Sequence, residues 1–414
     1  MVRRLLASAL LMAPLGLPVH AKMPLDEFKT RRVNLRSSLD GVLVLFGHVE
    51  GRDEVFRVAE EPNFYYVTGW TQPGARLLLT PTREVLFLPH HNERVEHFQG
   101  RRSSAEDADV HALTGFEEVR PIEKFEYELN QALSEQANLY APLSQPGIEK
   151  LKTLYPFREI SDAVPIITRL RVKKSAAELA AIQHATDVSV EAHRAAWKRM
   201  APGLSEYQIA AVLWSTYIES GCEGVAYSPI VGSGINSTIL HYSSNQRRMD
   251  AGEVVVMDAA AQCDDYASDI TRTVPVGSKF TPRQREIYKI VLGAQKAAIA
   301  ALKPGVRMAG PGDSLTKIAR AYMDAHGRDQ HGEPLGKYFI HGLGHQVGLQ
   351  VHDPGVDGPL EAGMVVTVEP GIYIPEESIG VRIEDVVLVT ENGAKVLSAA
   401  LPKEADEIEK AVAK

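Results

Sequence analysis

Only two cysteines, Cys222 and Cys263, occur in 414 residues. They are too few for a disulfide scaffold and are not spaced as a CxxC pair, so the fold does not rest on a thiol framework. The sequence leaves open whether they bond to each other. Basic charge is also short. Lys and Arg number 45 against 53 Asp and Glu, a formal charge of −8, the wrong sign for a protein drawn to nucleic acid by electrostatics. No apolar run has the length of a membrane span. Against these absences, a composition 44% hydrophobic and 24% charged, with 32 Gly and 24 Pro, is that of an ordinary globular protein; extended disorder, collagen and coiled coil are excluded. The length suffices for two or three domains, and small-molecule or peptide chemistry is the starting expectation.

An apolar stretch from Leu5 to Leu17 follows Arg3 and Arg4 and leads to Val19-His20-Ala21, with small residues at both positions a signal peptidase inspects. It is about half a membrane span and is interrupted by Pro14 and Gly16. The pattern predicts a signal peptide over residues 1–21, cleaved after Ala21, and an exported chain in the periplasm or outside the cell. No Cys follows the site, so no stable membrane anchor is expected.

From Pro24 to Pro165 short apolar strands (Val42–Phe46, Arg76–Leu79, Val85–Leu88) alternate with helical candidates such as Ile122–Glu135, an α/β pattern. Near residues 166–176 the text changes to a long amphipathic stretch with Leu179, Ile182, Val190 and Trp197 near helical spacing. This divides the chain into an N-terminal α/β domain, 24–165, and a second domain, 170–414. Ser205 with Gln208 and Thr281 with Gln284 fit capping boxes, Pro282 fits a first helical position, and Gly221 and Gly327 close helices. A faint repeat runs through the second domain. Ala201-Pro202-Gly203 is echoed by Lys303-Pro304-Gly305, and Ala251–Asp258 by Ala362–Glu369. His241 and His352 stand 111 residues apart, as do Asp258 and Glu369. The period is too long for a solenoid, so the expected fold is α+β with two duplicated halves related by a pseudo-two-fold axis.

Asp258 ends an apolar strand, and Asp269 opens another after a polar turn containing Asp264 and Asp265. Glu369 and Glu384 repeat the arrangement in the second half. Four carboxylates facing one another in a semi-buried site would repel and take up protons unless cations sit among them. Two divalent ions bring +4, and a carboxylate has a second oxygen with which to bridge them. His345, in the run His341 to His345, supplies the nitrogen ligand. Four oxygen-type side chains with one imidazole suit Mn²⁺ and admit Co²⁺ or Zn²⁺.

These stretches resemble the pita-bread metallopeptidases, in the proline-specific branch that holds aminopeptidase P and prolidase. The resemblance rests on Ser228–Gly234 running to His241-Tyr242, Met257-Asp258-Ala259, Ser268–Thr273, His341–His345 with Val351-His352-Asp353, Glu369–Tyr373 and Arg382–Asp385. Phe64–Trp70 and Gly100-Arg101-Arg102 are similar to the aminopeptidase P entry domain. The resemblance implies a pita-bread fold and two metal ions per subunit: Asp258 chelates one, Asp269 and Glu384 bridge both, and His345 and Glu369 hold the second. It further implies that His241, His341, His352 and Arg382 line the substrate site, that His352 contacts the scissile peptide, and that Glu369 handles the proton of the nucleophilic water. Homo-oligomers are common in the family. One departure is Ala260, where the family often has Gly.

Three functions follow. The first is an exported Xaa-Pro aminopeptidase acting on peptides with proline second, through a metal-bridging hydroxide. The second is a prolidase restricted to Xaa-Pro dipeptides. The third, a metal-free creatinase-like or non-catalytic binding member of the fold, requires lost carboxylates, whereas all five positions here carry ligand chemistry. Asp264, Asp265 and Asp385 read as solvated turn groups or as groups that orient a ligand, and Asp353 as a group able to orient a histidine. Lys173-Lys174 reads as a solvated linker, and Arg272 equally as an ion-pair partner or a site residue.

Overall fold

The computed structural model describes residues 23–49, 60–145, 147–277 and 279–413; the predicted leader, 1–21, lies outside the described residues. Six strands there, β1 (Gly41–Phe46), β2 (Arg76–Leu79), β3 (Glu84–Leu88), β4 (Val119–Pro121), β5 (Asn138–Ala141) and β6 (Ile160–Asp162), form one mixed sheet in the order β4-β3-β2-β1-β5-β6. β1 is buried along its whole length because both faces are covered. Val42, Val44 and Phe46 point into one apolar cluster and Leu43 and Leu45 into another, the alternation a strand imposes.

The second of those clusters also contains Ile182, Tyr266, Val347, Leu349, Val365 and Val386, so one face of this sheet shares its core with the rest of the chain. A polar contact crosses the same boundary: Arg31 Nη2 donates to Tyr266 OH at 3.1 Å and lies 3.6 Å from Glu178.

Beyond residue 175 the strands are β7 (Gly224–Val225), β8 (Ile230–Ser233), β9 (Val254–Asp258), β10 (Ala261–Cys263), β11 (Tyr266–Ala267), β12 (Thr271–Pro275), β13 (Val365–Val368), β14 (Gly371–Ile374), β15 (Ile379–Arg382), β16 (Asp385–Thr390) and β17 (Gly393–Val396). All pair antiparallel, as β12-β9-β8, β13-β16-β17, β14-β15 and β11-β10-β7. Helices Ala176–Arg199, Glu206–Glu219, Pro282–Ala301 and Leu315–His326 accompany them. The two expected capping boxes form, and Ser175 with Glu178 adds another. Gly221 takes the left-handed conformation after its helix (φ 84°), whereas Gly327 caps in an extended one.

The duplication is visible in backbone bonds. Gly203 N donates to Met249 O and Met249 N to Leu204 O; Gly305 N donates to Leu360 O and Leu360 N to Val306 O. The matched glycines Gly252 and Gly363, both at positive φ where a side chain would be strained, bond to Val276 O and Val389 O. The strands that carry the carboxylates are therefore built twice on one plan.

One local expectation needs correcting. Asp269 does not open a strand: β12 starts at Thr271, and the chain between β9 and β12 makes its own hairpin, β10-β11. Asp264 (φ 54°) and Asp265 (φ 64°) form its two-residue turn, both left-handed as a type I′ turn demands. Cys222 and Cys263 are joined in a disulfide that ties this hairpin to the end of helix Glu206–Glu219, resolving the pairing that spacing left open.

Candidate metal centre and substrate cavity

Register brings the acidic residues together. Thr271 lies opposite Asp258 in the β9-β12 ladder, and Val368 opposite Asp385 in the β13-β16 ladder, so Asp258, Asp269, Glu369 and Glu384 all sit at strand ends or one to two residues beyond. The backbone N–H of Glu384 donates to Thr271 O at 3.0 Å, which joins the two halves at the site. Asp269, His345 and Glu384 each offer a ligand atom within 4.8 Å of the others. Glu369 Oε1 and Asp269 Oδ2 each lie 3.4 Å from His345 Nε2. Asp258 joins through its neighbours: Arg382 Nη2 donates to Oδ2 at 2.6 Å, and Tyr227 OH stands 2.5 Å from both Asp258 Oδ1 and Asp269 Oδ1.

The electrostatics match a crowd of like charges. Burial first, then the charge of Asp269, pushes Glu369 up to about 7. Burial and the neighbouring carboxylates hold Glu384 well above the usual range and raise Asp269 as well. Burial opposes the charged form of His345, but its hydrogen bond to Asp269 and the charges of Asp269 and Glu369 outweigh that and push it up to about 9. His345 Nδ1 faces Gln346 O at 3.1 Å, so Nδ1 carries a proton and Nε2 faces the carboxylates.

These five residues, with His241, His341, His352 and Arg382, line one cavity of about 470 Å³ whose wall also includes Ile230, Leu240 and Val351. All nine sequence candidates thus come together. A relay runs along one side: Arg382 Nη1 donates to the Tyr373 hydroxyl oxygen at 2.9 Å, and the same hydroxyl faces His341 Nε2 at 2.9 Å. Burial and the Arg382 charge lower His341 to about 4, so it acts as a neutral acceptor there. The His345 and His352 rings meet edge to face, centroids 4.1 Å apart. Burial, then the charge of His345, lowers the pKa of His352.

Sequence reading missed Tyr227, Thr271 and Tyr373. Thr271 Oγ1 donates to Glu384 Oε2 at 2.6 Å and accepts from Arg382 Nε at 3.1 Å. Tyr227 directly precedes the Ser228–Gly234 stretch, which was the available signal.

Two readings of charged residues as solvated are also corrected. Asp385 is not solvated: it is fully buried and accepts from Arg272 Nη2, Lys403 Nζ, Gln295 Nε2 and Ser398 Oγ, which also fixes Arg272 as an ion-pair partner. Lys174 is buried rather than solvated, and with Arg171 it binds the Asp353 carboxylate.

Known proteins share these features. Residues 180–391 match metallopeptidase family M24, and residues 28–140 match the aminopeptidase P N-terminal domain. A Haemophilus influenzae Xaa-Pro aminopeptidase is 35% identical over 421 residues, covering 94% of this chain and 97% of the relative. A Pyrococcus horikoshii Xaa-Pro dipeptidase is also 35% identical, over 82% of this chain and 91% of its own length. The structure of Escherichia coli aminopeptidase P with the inhibitor Pro-Leu superimposes with a TM-score of 0.85 at 29% identity, covering 95% of this chain and 99% of that one.

Proposed function

The chain belongs to metallopeptidase family M24, in its proline-specific pita-bread branch, and on that premise we propose that it is an exported, dinuclear-metal Xaa-Pro aminopeptidase. The observation that carries this reading is the donor set. Asp269, His345 and Glu384 converge within 4.8 Å, flanked by Asp258 and Glu369. The residues fit divalent ions on chemical grounds. The carboxylates are raised toward protonation by one another, and His345 turns Nε2, its free ligand atom, onto Asp269 and Glu369. Asp258, Asp269, His345, Glu369 and Glu384 would hold two ions, Mn²⁺ by preference for oxygen donors, with Co²⁺ or Zn²⁺ admitted. When bound, such a pair lowers the pKa of water to give a hydroxide nucleophile and polarises a carbonyl.

The chain's own residues do the rest. Ile230, Leu240 and Val351 give the cavity an apolar wall, and His241, His341 and Arg382 orient the peptide. His352, whose charged form burial disfavours, donates to the scissile carbonyl oxygen as negative charge develops on it. Glu369, one of whose oxygens accepts from Thr367 Oγ1 at 3.0 Å, takes the proton of the attacking water and returns it to the departing proline nitrogen. A bond to proline is a tertiary amide without an N–H, which rewards a dedicated site.

The apolar, basic-flanked leader supports export, as does the Cys222–Cys263 pairing, a bond that persists in oxidising compartments. We read residues 24–165 as the entry domain and 170–414 as the catalytic domain; the two matched stretches fall inside them. Homo-oligomerisation, implied by the resemblance, is read by light scattering.

Purified protein should bind two Mn²⁺ per chain and release the N-terminal residue from both Xaa-Pro-Yaa tripeptides and longer peptides. Turnover confined to Xaa-Pro dipeptides would favour the dipeptidase reading, to which the Pyrococcus relative lends weight. No stoichiometric metal would overturn both.

A further inference from the structure

The loop that ends in His352 begins at His345, and its base is closed by an antiparallel bridge between Gln346 and Asp353. Asp353 N donates to Gln346 O at 3.0 Å, and Gln350 N donates to Asp353 Oδ1 at 3.2 Å. The Asp353 side chain is only 2% exposed, and its two oxygens meet two cations: Arg171 Nη2 at Oδ1, 2.5 Å, and Lys174 Nζ at Oδ2, 3.0 Å. Both cations come from the connection between the two domains, and both side chains are themselves buried, at 2% and 0% exposure. Arg171 reaches further: its Nη1 donates to Asn63 Oδ1 at 2.8 Å in the helix Pro62–Thr68. The backbone of Gly348 lies so close to Asp353 that a Cβ there would meet Oδ2 at 2.5 Å.

We propose that Asp353 is the positioning residue for His352, and that the interdomain cations Arg171 and Lys174 hold it in place. A carboxylate removed from water and gripped by two cations and the Gln350 N–H cannot rotate without stranding charge. The residue before it in the chain is therefore fixed, and His352 is presented to the cavity beside His345. The reach of Arg171 to Asn63 makes docking of the N-terminal domain a condition for that placement. The inference rests on the reading of His352 as a substrate-contacting residue.

The test is a double-mutant cycle on the metal-loaded full chain, using Asp353→Asn and His352→Ala. Asp353→Asn should lower kcat by about tenfold with KM and bound metal nearly unchanged; in the His352→Ala background it should cost almost nothing, because the two act as one unit. A loss of the same size in both backgrounds overturns the proposal. So does a loss that vanishes once rates are normalised to folded, metal-loaded protein. Should Asp353→Asn fail to fold, Lys174→Met carries the same cycle. Glu84→Gln, which breaks the buried Arg32–Glu84 pair away from the cavity, should lower Tm and leave kcat unchanged. The ring ¹⁵N signals of His352, recorded without substrate, decide the positioning even if the wild-type chain proves inactive on Xaa-Pro peptides. A shift in Asp353→Asn is expected, and an unchanged spectrum overturns the proposal.

Discussion

Glu384 concentrates the conflict that defines the site. It is buried, its charged form is disfavoured by burial and by Asp269, Glu369 and Asp258, and Thr271 and Arg382 offset only part of that. A residue in this position is costly to the metal-free fold and useful only when cations are present. Replacing it with Gln keeps its shape and removes one charge from the cluster. Glu384→Gln should therefore weaken metal binding by about 100-fold or more, since even a partner that only orients a ligand is worth about 10–100-fold. The same change should leave the metal-free protein as stable as the wild type at pH 8, or more so. Isothermal titration with Mn²⁺ and melting in excess chelator read the two effects separately; a metal-free variant markedly less stable than the parent would contradict the account of Glu384 as a strained charge.

The hairpin β10-β11 lies between Asp258 and Asp269 in the chain and is tied down at Cys263, so its anchoring bears on the site. The Cys222–Cys263 bridge closes a separation of 41 residues, and constraining a loop of that size in the unfolded chain is worth about 3–4 kcal/mol. The double substitution to Ser should cost that much in denaturant unfolding of the metal-loaded protein, and dithiothreitol should have the same effect on the parent; no measurable change would mean that the reduced chain keeps the same constraint by packing. These elements also mark where the sequence was legible. Strands β9 and β13 announced themselves by Val-rich runs, and the carboxylates at their ends were readable because the pattern occurs twice. Partners far along the chain were not. Asp385 looked like a turn residue because Arg272, which neutralises it, lies 113 positions away, and Lys174 looked solvated because nothing adjacent shows that Asp353 awaits it. Tyr227 escaped for a related reason: a tyrosine before a loop carries no spacing signal, and only the fold brings its hydroxyl between two carboxylates.

The whole molecule is less divisible than its composition suggests. Ile182, Tyr266, Val347, Leu349, Val365 and Val386 share one core with Phe28, Tyr65, Tyr66 and Trp70, and Glu178 depends on Arg31 for a counter-charge. A fragment starting at residue 170 should therefore expose that surface and bind 8-anilinonaphthalenesulfonate or aggregate, since each large side chain so exposed costs about 1.5–3 kcal/mol; a soluble, monodisperse fragment with native metal affinity would refute the shared core. Stability of the intact chain should also depend on pH in a direction set by the site. Glu369 rises from 4.5 to about 7 in the fold, so the metal-free folded state holds more protons than the unfolded state between those values, and this contribution is lost as pH rises through them. His345 rises from 6.5 to about 9, so its contribution is complete below 6.5 and disappears as pH rises through 9. Both push the metal-free protein toward lower stability between pH 5 and pH 9. Metal binding releases those same protons and so strengthens across the same interval. The gap in Tm between Mn²⁺-loaded and chelator-treated protein should accordingly widen steadily from pH 5.5 to pH 8.5. A gap that stays constant or narrows would show that the protons on Glu369 and His345 are not the ones the cations replace.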